Sequence, residues 1–159
     1  MSKILVAYFS ASGVTEGVAK KLANAVGGDI FEILPVIPYS HADLDWKNPN
    51  SRSSLEMKDA SSRPQIAGRI EDIGSYNAVF LGFPIWWYIA PTIINTFLEE
   101  YNFADKKIIP FATAGSCEMG ETNAHLAPSC PDAILVEGKR FLPDVTVEEL
   151  KEWAKGKLE

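Results

Sequence analysis

Ile4-Leu5-Val6-Ala7-Tyr8-Phe9-Ser10-Ala11-Ser12-Gly13-Val14-Thr15 is an unbroken apolar run that ends in a short turn of hydroxyls and glycine. An apolar run without alternation fits a strand covered on both faces, as in a parallel sheet. Past the turn, Val14, Val18, Leu22 and Val26 recur at helical spacing until Gly27-Gly28 stops them, and a second strand follows from Asp29 to Leu34. The result is one strand-helix-strand unit with a right-handed crossover. The turn from Ser10 to Thr15 carries three hydroxyls and neither Lys nor Arg. At a strand-to-helix junction its free backbone N–H groups converge, making an anion site that works by hydrogen bonds and the helix dipole. The positive end of that dipole contributes about 0.3 to 1 kcal/mol at exposed sites and up to ~2 when partly buried. The same residues also suit a helix capped by Ser10 or Ser12 that binds nothing.

Working outward, Pro35 to Ser62 holds Pro35, Pro38 and Pro49 among Ser and Asn without a sustained period, and reads as a long loop. A loop of that length in a compact domain is functional or disordered. Arg63 to Ile73 has weak helical patterning through Ile66, Ile70 and Ile73, and Ala78 to Phe83 is a third buried strand stopped by Pro84. Pro91 opens a helix with an apolar face of Ile93, Ile94, Phe97 and Leu98, and Lys107 to Thr113 is a fourth strand. A polar turn from Gly115 to Gly120, a short helix from Thr122 to Ala127, a fifth strand from Ala133 to Val136 and an amphipathic helix from Thr146 to Leu158 follow. Strands alternating with helices imply a doubly wound α/β sheet, in which ligands sit outside the carboxyl ends of the strands. Residues 10–15, 84–90 and 113–120 are the loops that meet there.

The 159 residues fit a single domain with a core of its own. No apolar run approaches the ~20 residues needed to span a bilayer, and the N-terminus lacks a secretory signal, so the expected location is the cytoplasm. Cys117 and Cys130 then read as reduced thiols, and neither has metal-ligand spacing. A net charge of -6 speaks against nucleic acid and anionic membrane as partners, since both require clustered Lys or Arg. It suits basic patches on a partner protein. His41 and His125 have no acid beside them in a motif, and Glu16 reads as a first-turn acid favoured by the dipole.

In the second loop, Phe83-Pro84-Ile85-Trp86-Trp87-Tyr88-Ile89-Ala90-Pro91 sets three adjacent aromatics just past a strand end. Exposed there, they would leave a large apolar area that a flat ring system would cover. The alternative is that one Trp points into the core and the other packs under the 35–62 loop. The third loop, Thr113 to Gly120, has small residues and terminal glycines that allow close approach of backbone to a ligand edge. Neither GxxxxGK[ST] nor GxGxxG is present.

The three loops describe a ligand with a phosphate at one end and a planar heteroaromatic ring at the other. Through VAYFSASGVTEGVAKKLA, VFLGFPIWWYIAPTIINTFLE, KKIIPFATAGS and the final GKRF with its ELKEW helix, the chain resembles the flavodoxin-like family, in particular its short-chain members, which bind flavin mononucleotide (FMN). The resemblance covers nearly the whole chain. It implies a five-stranded parallel sheet of order 2-1-3-4-5 with helices on both faces, which is a property of that family rather than a reading of these residues. By motif match, Ser10, Ser12, Gly13, Val14 and Thr15 would hold the flavin phosphate. Pro84, Ile85, Trp86 and Trp87 would line one side of the ring, with Trp86 its stacking or edge partner. Thr113, Ala114, Gly115, Ser116 and Gly120 would form the other rim. Three features depart from a minimal electron carrier: the modest charge of -6, the lack of an aromatic in the third loop, and the long 35–62 loop, from which Trp46 or Tyr39 could cover the ring.

The function implied is an FMN-binding redox protein that transfers electrons to partner proteins at low potential. The alternatives are a small NAD(P)H-dependent reductase of quinone-like acceptors and a cofactor-free interaction module. Low potential is expected because the three loops hold no Lys or Arg and the third holds Glu118. A unit charge at ~7 Å and an effective dielectric of ~20 is worth about 2.4 kcal/mol, roughly 100 mV for one electron. A magnesium-binding receiver domain would need acids where Tyr8-Phe9-Ser10 stand, and a cysteine phosphatase would need Cys and Arg in the first loop.

Overall fold

The computed structural model describes residues 3–114 and 119–159. The opening run forms β1 (Ile4–Tyr8), the turn leads into α1 (Val14–Val26), and β2 (Asp29–Glu32) returns parallel to β1. Gly27, left-handed at φ 64°, ends α1. The segment read as loop contains β3 (Leu34–Pro35), a 3-10 turn (Ala42–Leu44) and α2 (Arg52–Lys58). The stretch with helical patterning is no α-helix: it holds β4 (Ile66–Ala67), antiparallel to β3, and ends in a 3-10 turn (Ile73–Ser75). The three isoleucines that suggested a period, Ile66, Ile70 and Ile73, all pack against one core, but from an irregular backbone. Then come β5 (Ala78–Pro84), α3 (Thr92–Glu100), β6 (Lys107–Thr113), α4 (Thr122–Leu126), β7 (Ile134–Leu135), β8 (Lys139–Phe141) and α5 (Val147–Leu158).

The main sheet runs β2-β1-β5-β6-β7, with β8 also on β6, and all its pairs are parallel. With β7 and β8 taken as one interrupted strand, this is the expected order 2-1-3-4-5. The interruption has a cause in the neighbouring strand. The N–H groups of Ile134 and Val136 reach the carbonyls of Lys106 and Ile108 at 2.8 and 2.9 Å, but the next residue on that side of β6 is Pro110, which has no N–H to return. The ladder lapses there and resumes at Phe111↔Lys139.

Period-two alternation divides the core. Leu5, Ala7 and Phe9 of the first run join Val79, Leu81 and Phe83 against Ile93, Ile94 and Phe97 of α3, while Val6, Tyr8, Phe80 and Phe111 face Val18 and Leu22 of α1 and Leu150 of α5. Both sets are buried, which is why the strands show no polar face in sequence. Thr146 caps α5 by accepting from the N–H of Glu149 at 3.1 Å, as its position suggested.

Tyr76 ties the base of β5 to β2 by donating to Asp29 Oδ2 at 2.6 Å. Burial first, then that bond, pushes its phenol up to about 12. Because the fold favours the neutral phenol, this contribution to stability is whole below the ordinary tyrosine value of ~10 and disappears as pH rises from there to about 12. Urea unfolding of Tyr76→Phe between those limits is expected to show a shallower alkaline loss than wild type; an equal slope would contradict the linkage.

Candidate functional site

The carboxyl ends of β1, β5 and β6, parallel neighbours in the sheet, bring the first loop, the second loop and the start of the third, Thr113 and Ala114, to one end of the sheet. In the first loop, Gly13 sits at φ 92°, a conformation open to glycine, and starts α1. Ser10 Oγ accepts from the N–H groups of Gly13 and Glu16 at 3.0 and 3.2 Å. Among the described residues no acceptor meets the N–H groups of Ala11, Ser12, Val14 or Thr15, and the Ser10 hydroxyl proton is undonated. Ser12, Gly13 and Val14 are exposed. The turn is therefore both things the residues allowed: a helix start capped by Ser10, and a cradle of unanswered donors on the dipole's positive end. Behind it, Tyr8 donates to Glu16 Oε2 at 3.1 Å; burial, that bond and the charge of Glu32 hold its phenol well above the usual tyrosine range.

The second loop is a two-residue hairpin turn. Trp86 and Ile89 exchange backbone hydrogen bonds at 2.9 and 3.2 Å, and between them Trp87 and Tyr88 lie at φ 50° and 68°. Two consecutive positive φ values define the turn that Asn-Gly fills most readily, and each bulky residue held there costs about 1 to 3 kcal/mol. Trp87 and Tyr88 are exposed at 44% and 63%, while Trp86 lies half-buried, edge-on to Phe9 and Tyr39. The alternative reading is thus met in part, since Trp86 does pack against the 35–62 segment.

Ala11 and Ser12 of the cradle, Pro84 to Tyr88 of the hairpin, and Leu44, Trp46 and Ser53 of the intervening segment line one cleft of about 580 Å³. Among the described residues the lining includes no Lys, Arg or His. Trp46 is 66% exposed in the lining, whereas Tyr39 packs half-buried against the core and outside the lining.

Of the third loop, Gly115, Ser116, Cys117 and Glu118 lie outside the described residues. Thr113 is buried and its hydroxyl meets that of Thr15 at 2.7 Å, fastening the third loop beneath the first. The Ala114 carbonyl accepts from Arg140 Nη1 at 3.2 Å. Gly120 presses on the hairpin, where a Cβ would stand 2.5 Å from the Tyr88 carbonyl oxygen, and it opens on a separate cavity of about 510 Å³ with Asn123 and Arg140. The structure gathers Ser12, Pro84, Ile85, Trp86 and Trp87 around the cleft, with Ser10, Gly13, Val14 and Thr15 in the adjoining turn; Thr113, Ala114 and Gly120 do not line it.

Leu44, Ser53, Tyr88 and Arg140 were not singled out by the sequence reading. Tyr88 stood in the quoted aromatic run. Ser51, which caps α2 by accepting from the N–H of Ser54 at 3.3 Å, was the available signal for the helix that delivers Ser53. Arg140 arrives through β8, distant in sequence from all three loops.

A family model described as Flavodoxin matches residues 3–157. The crystal structure of a candidate flavoprotein from Bacteroides eggerthii is 45% identical with a TM-score of 0.94, covering 100% of this chain and 99% of that one. A second, from Bacteroides uniformis, is 44% identical with a TM-score of 0.91, covering 97% and 98%. At 19% identity and a TM-score of 0.73, covering 97% and 99%, a flavoprotein from Lactobacillus acidophilus in complex with FMN shares the fold. No curated protein matches.

Proposed function

The chain belongs to the flavodoxin family, and from that premise we propose that it binds FMN and transfers electrons through it at low potential to basic redox partner proteins in the cytoplasm. One observation carries the reading. A cradle of four backbone N–H groups that meet no acceptor among the described residues runs directly into a cleft walled by aromatic rings, through the shared residues Ala11 and Ser12. The donors suit the phosphate: the N–H groups of Ala11, Ser12, Val14 and Thr15 and the hydroxyls of Ser10 and Ser12 would hold it. Trp86, Trp87 and Tyr88 would flank the ring on one side and Trp46 would cover it. Bound there, FMN supplies one- and two-electron redox chemistry.

What this chain contributes is fixed donors for the anion, a shaped apolar wall and control of nearby charge. With no cation in the lining among the described residues, negative charge gained on the ring would be met there by dipoles. Arg140, which donates to the Ala114 carbonyl at 3.2 Å, is a cation whose distance to the ring would set how far this effect extends. Among the described residues no helix is long and apolar enough to cross a membrane.

The test is direct. Purified protein incubated with FMN is expected to be yellow, to quench the flavin's fluorescence, and on redox titration to reach full reduction at a potential below that of free FMN. A colourless protein that binds no FMN overturns the reading, and a potential above that of free FMN overturns its low-potential part. Leu44 and Trp46, which extend the lining beyond the cradle and the hairpin, favour a second reading, a small NAD(P)H-dependent reductase of quinone-like acceptors. Steady-state oxidation of NAD(P)H by the purified FMN-loaded protein separates the two.

A further inference from the structure

The electron-transfer reading uses Trp46 of the long segment before β5 and leaves the rest without a task, since only Leu44, Trp46 and Ser53 of it line the cleft. Within it Tyr39 is held from several sides. Three rings, Phe9, Tyr39 and Trp86, meet pairwise: Phe9 to Tyr39 at 5.6 Å and 59°, Tyr39 to Trp86 at 5.6 Å and 75°, Phe9 to Trp86 at 5.8 Å and 87°. Phe9 is wholly buried at the end of β1 and fixes one side of the Trp86 indole. Tyr39 fixes another. It is clamped in turn by α2: the Arg52 guanidinium lies 3.8 Å above its ring, its phenol donates to Glu56 Oε1, and Arg52 Nε meets Glu56 Oε2 at 3.0 Å. Arg52 Nη1 also donates to the Ile37 carbonyl at 2.7 Å, closing the clamp on the backbone beside Tyr39.

We infer that Tyr39 is a positioning residue for the flavin site: held by Arg52 and Glu56, it fixes the indole of Trp86 in the orientation from which Trp86 flanks the ring. The inference rests on the FMN reading above and gives the 35–62 segment its task. The geometry separates this from direct contact, because Tyr39, Arg52 and Glu56 all lie outside the cleft lining and reach it through Trp86. It also separates it from general packing. The hairpin holds the Trp86 backbone through its bonds to Ile89, but a backbone bond leaves χ1 and χ2 free, and perpendicular ring contacts are what restrict them. Burial and the Glu56 contact keep the Tyr39 phenol protonated far above neutral pH, so the clamp keeps its donor.

Two variants and two readouts test it: FMN titration of the apoprotein and the visible circular dichroism of the bound flavin. Tyr39→Leu removes the ring and is expected to weaken FMN binding about tenfold and to alter the flavin dichroism. Tyr39→Phe keeps the ring and is expected to stay within about threefold with a wild-type dichroic band. Wild-type affinity and dichroism in Tyr39→Leu overturn the inference, and so does a Tyr39→Phe as impaired as Tyr39→Leu, since the ring would then not be the operative part. Should Tyr39→Leu fail to fold, Arg52→Met releases the clamp from outside the cleft; an altered flavin dichroism supports the inference and an unaltered one overturns it. A wild-type chain that takes up no FMN would overturn the parent reading, whereas normal uptake with an indifferent Tyr39→Leu overturns the positioning role alone.

Discussion

Replacing Gly82 by alanine is expected to lower the folding stability by about 3 kcal/mol, which for a chain of this size is a fall in Tm of about 10 °C. Gly82 lies in the middle of β5, opposite Phe111 of β6, and a Cβ there would stand 2.2 Å from Phe111 Cζ and 2.5 Å from Cε2. The Phe111 ring is fully buried in one cluster with residues of α1 and α5, so it cannot swing out to solvent. The backbone of two central strands would have to separate instead. Gly156, in α5, has nothing within 4 Å of the corresponding position. Gly156→Ala is therefore the control, expected to be neutral or to stabilise by about 0.5 to 1 kcal/mol through helix propensity. Thermal melts of the two variants decide the matter: a Gly82→Ala within about 1 kcal/mol of wild type would mean that Phe111 is not packed as described.

Riboflavin, which lacks the phosphate, is expected to bind at least about a hundredfold more weakly than FMN. Four N–H groups and the Ser10 hydroxyl, none of them with an acceptor among the described residues, converge on the first turn of α1. Hydrogen bonds to a charged acceptor are worth about 1.5 to 3 kcal/mol each, and the helix end adds up to ~2. Even two such bonds exceed the 2.7 kcal/mol or so that a hundredfold requires. Isothermal titration of the apoprotein with each flavin measures the ratio, and inorganic phosphate is expected to compete with FMN but not with riboflavin. Equal affinities would show that the turn is only a capped helix start and that binding comes from the rings.

The elements that the sequence disclosed are those whose cause is local. The run through Phe9, the 3.6-residue spacing of α1 and the Thr146 cap each act within a few residues, and each is found where the pattern put it. Residues 35–75 were opaque because their contacts are distant. Arg63 grips Glu99 at 2.9 and 3.0 Å, Ser62 meets Thr92 at 2.9 Å, and the Tyr101 hydroxyl takes the Ile70 N–H at 3.0 Å. No periodicity within the segment encodes partners some thirty residues ahead. The broken last strand was hidden for a similar reason: its cause, Pro110, lies on another strand. At the site, the cradle and the hairpin were legible because a loop's chemistry is written in its own letters. Leu44, Ser53 and the clamp on Tyr39 emerge only when α2 folds back over the sheet edge.

The hairpin at Trp87 and Tyr88 sets two selective pressures against each other. Asn-Gly would relieve both left-handed residues and make the chain sturdier, while stripping two rings from the cleft. Directed evolution guided by heat resistance alone would therefore drift toward robust but incompetent descendants at these two codons, and a library meant to preserve redox behaviour should hold them constant.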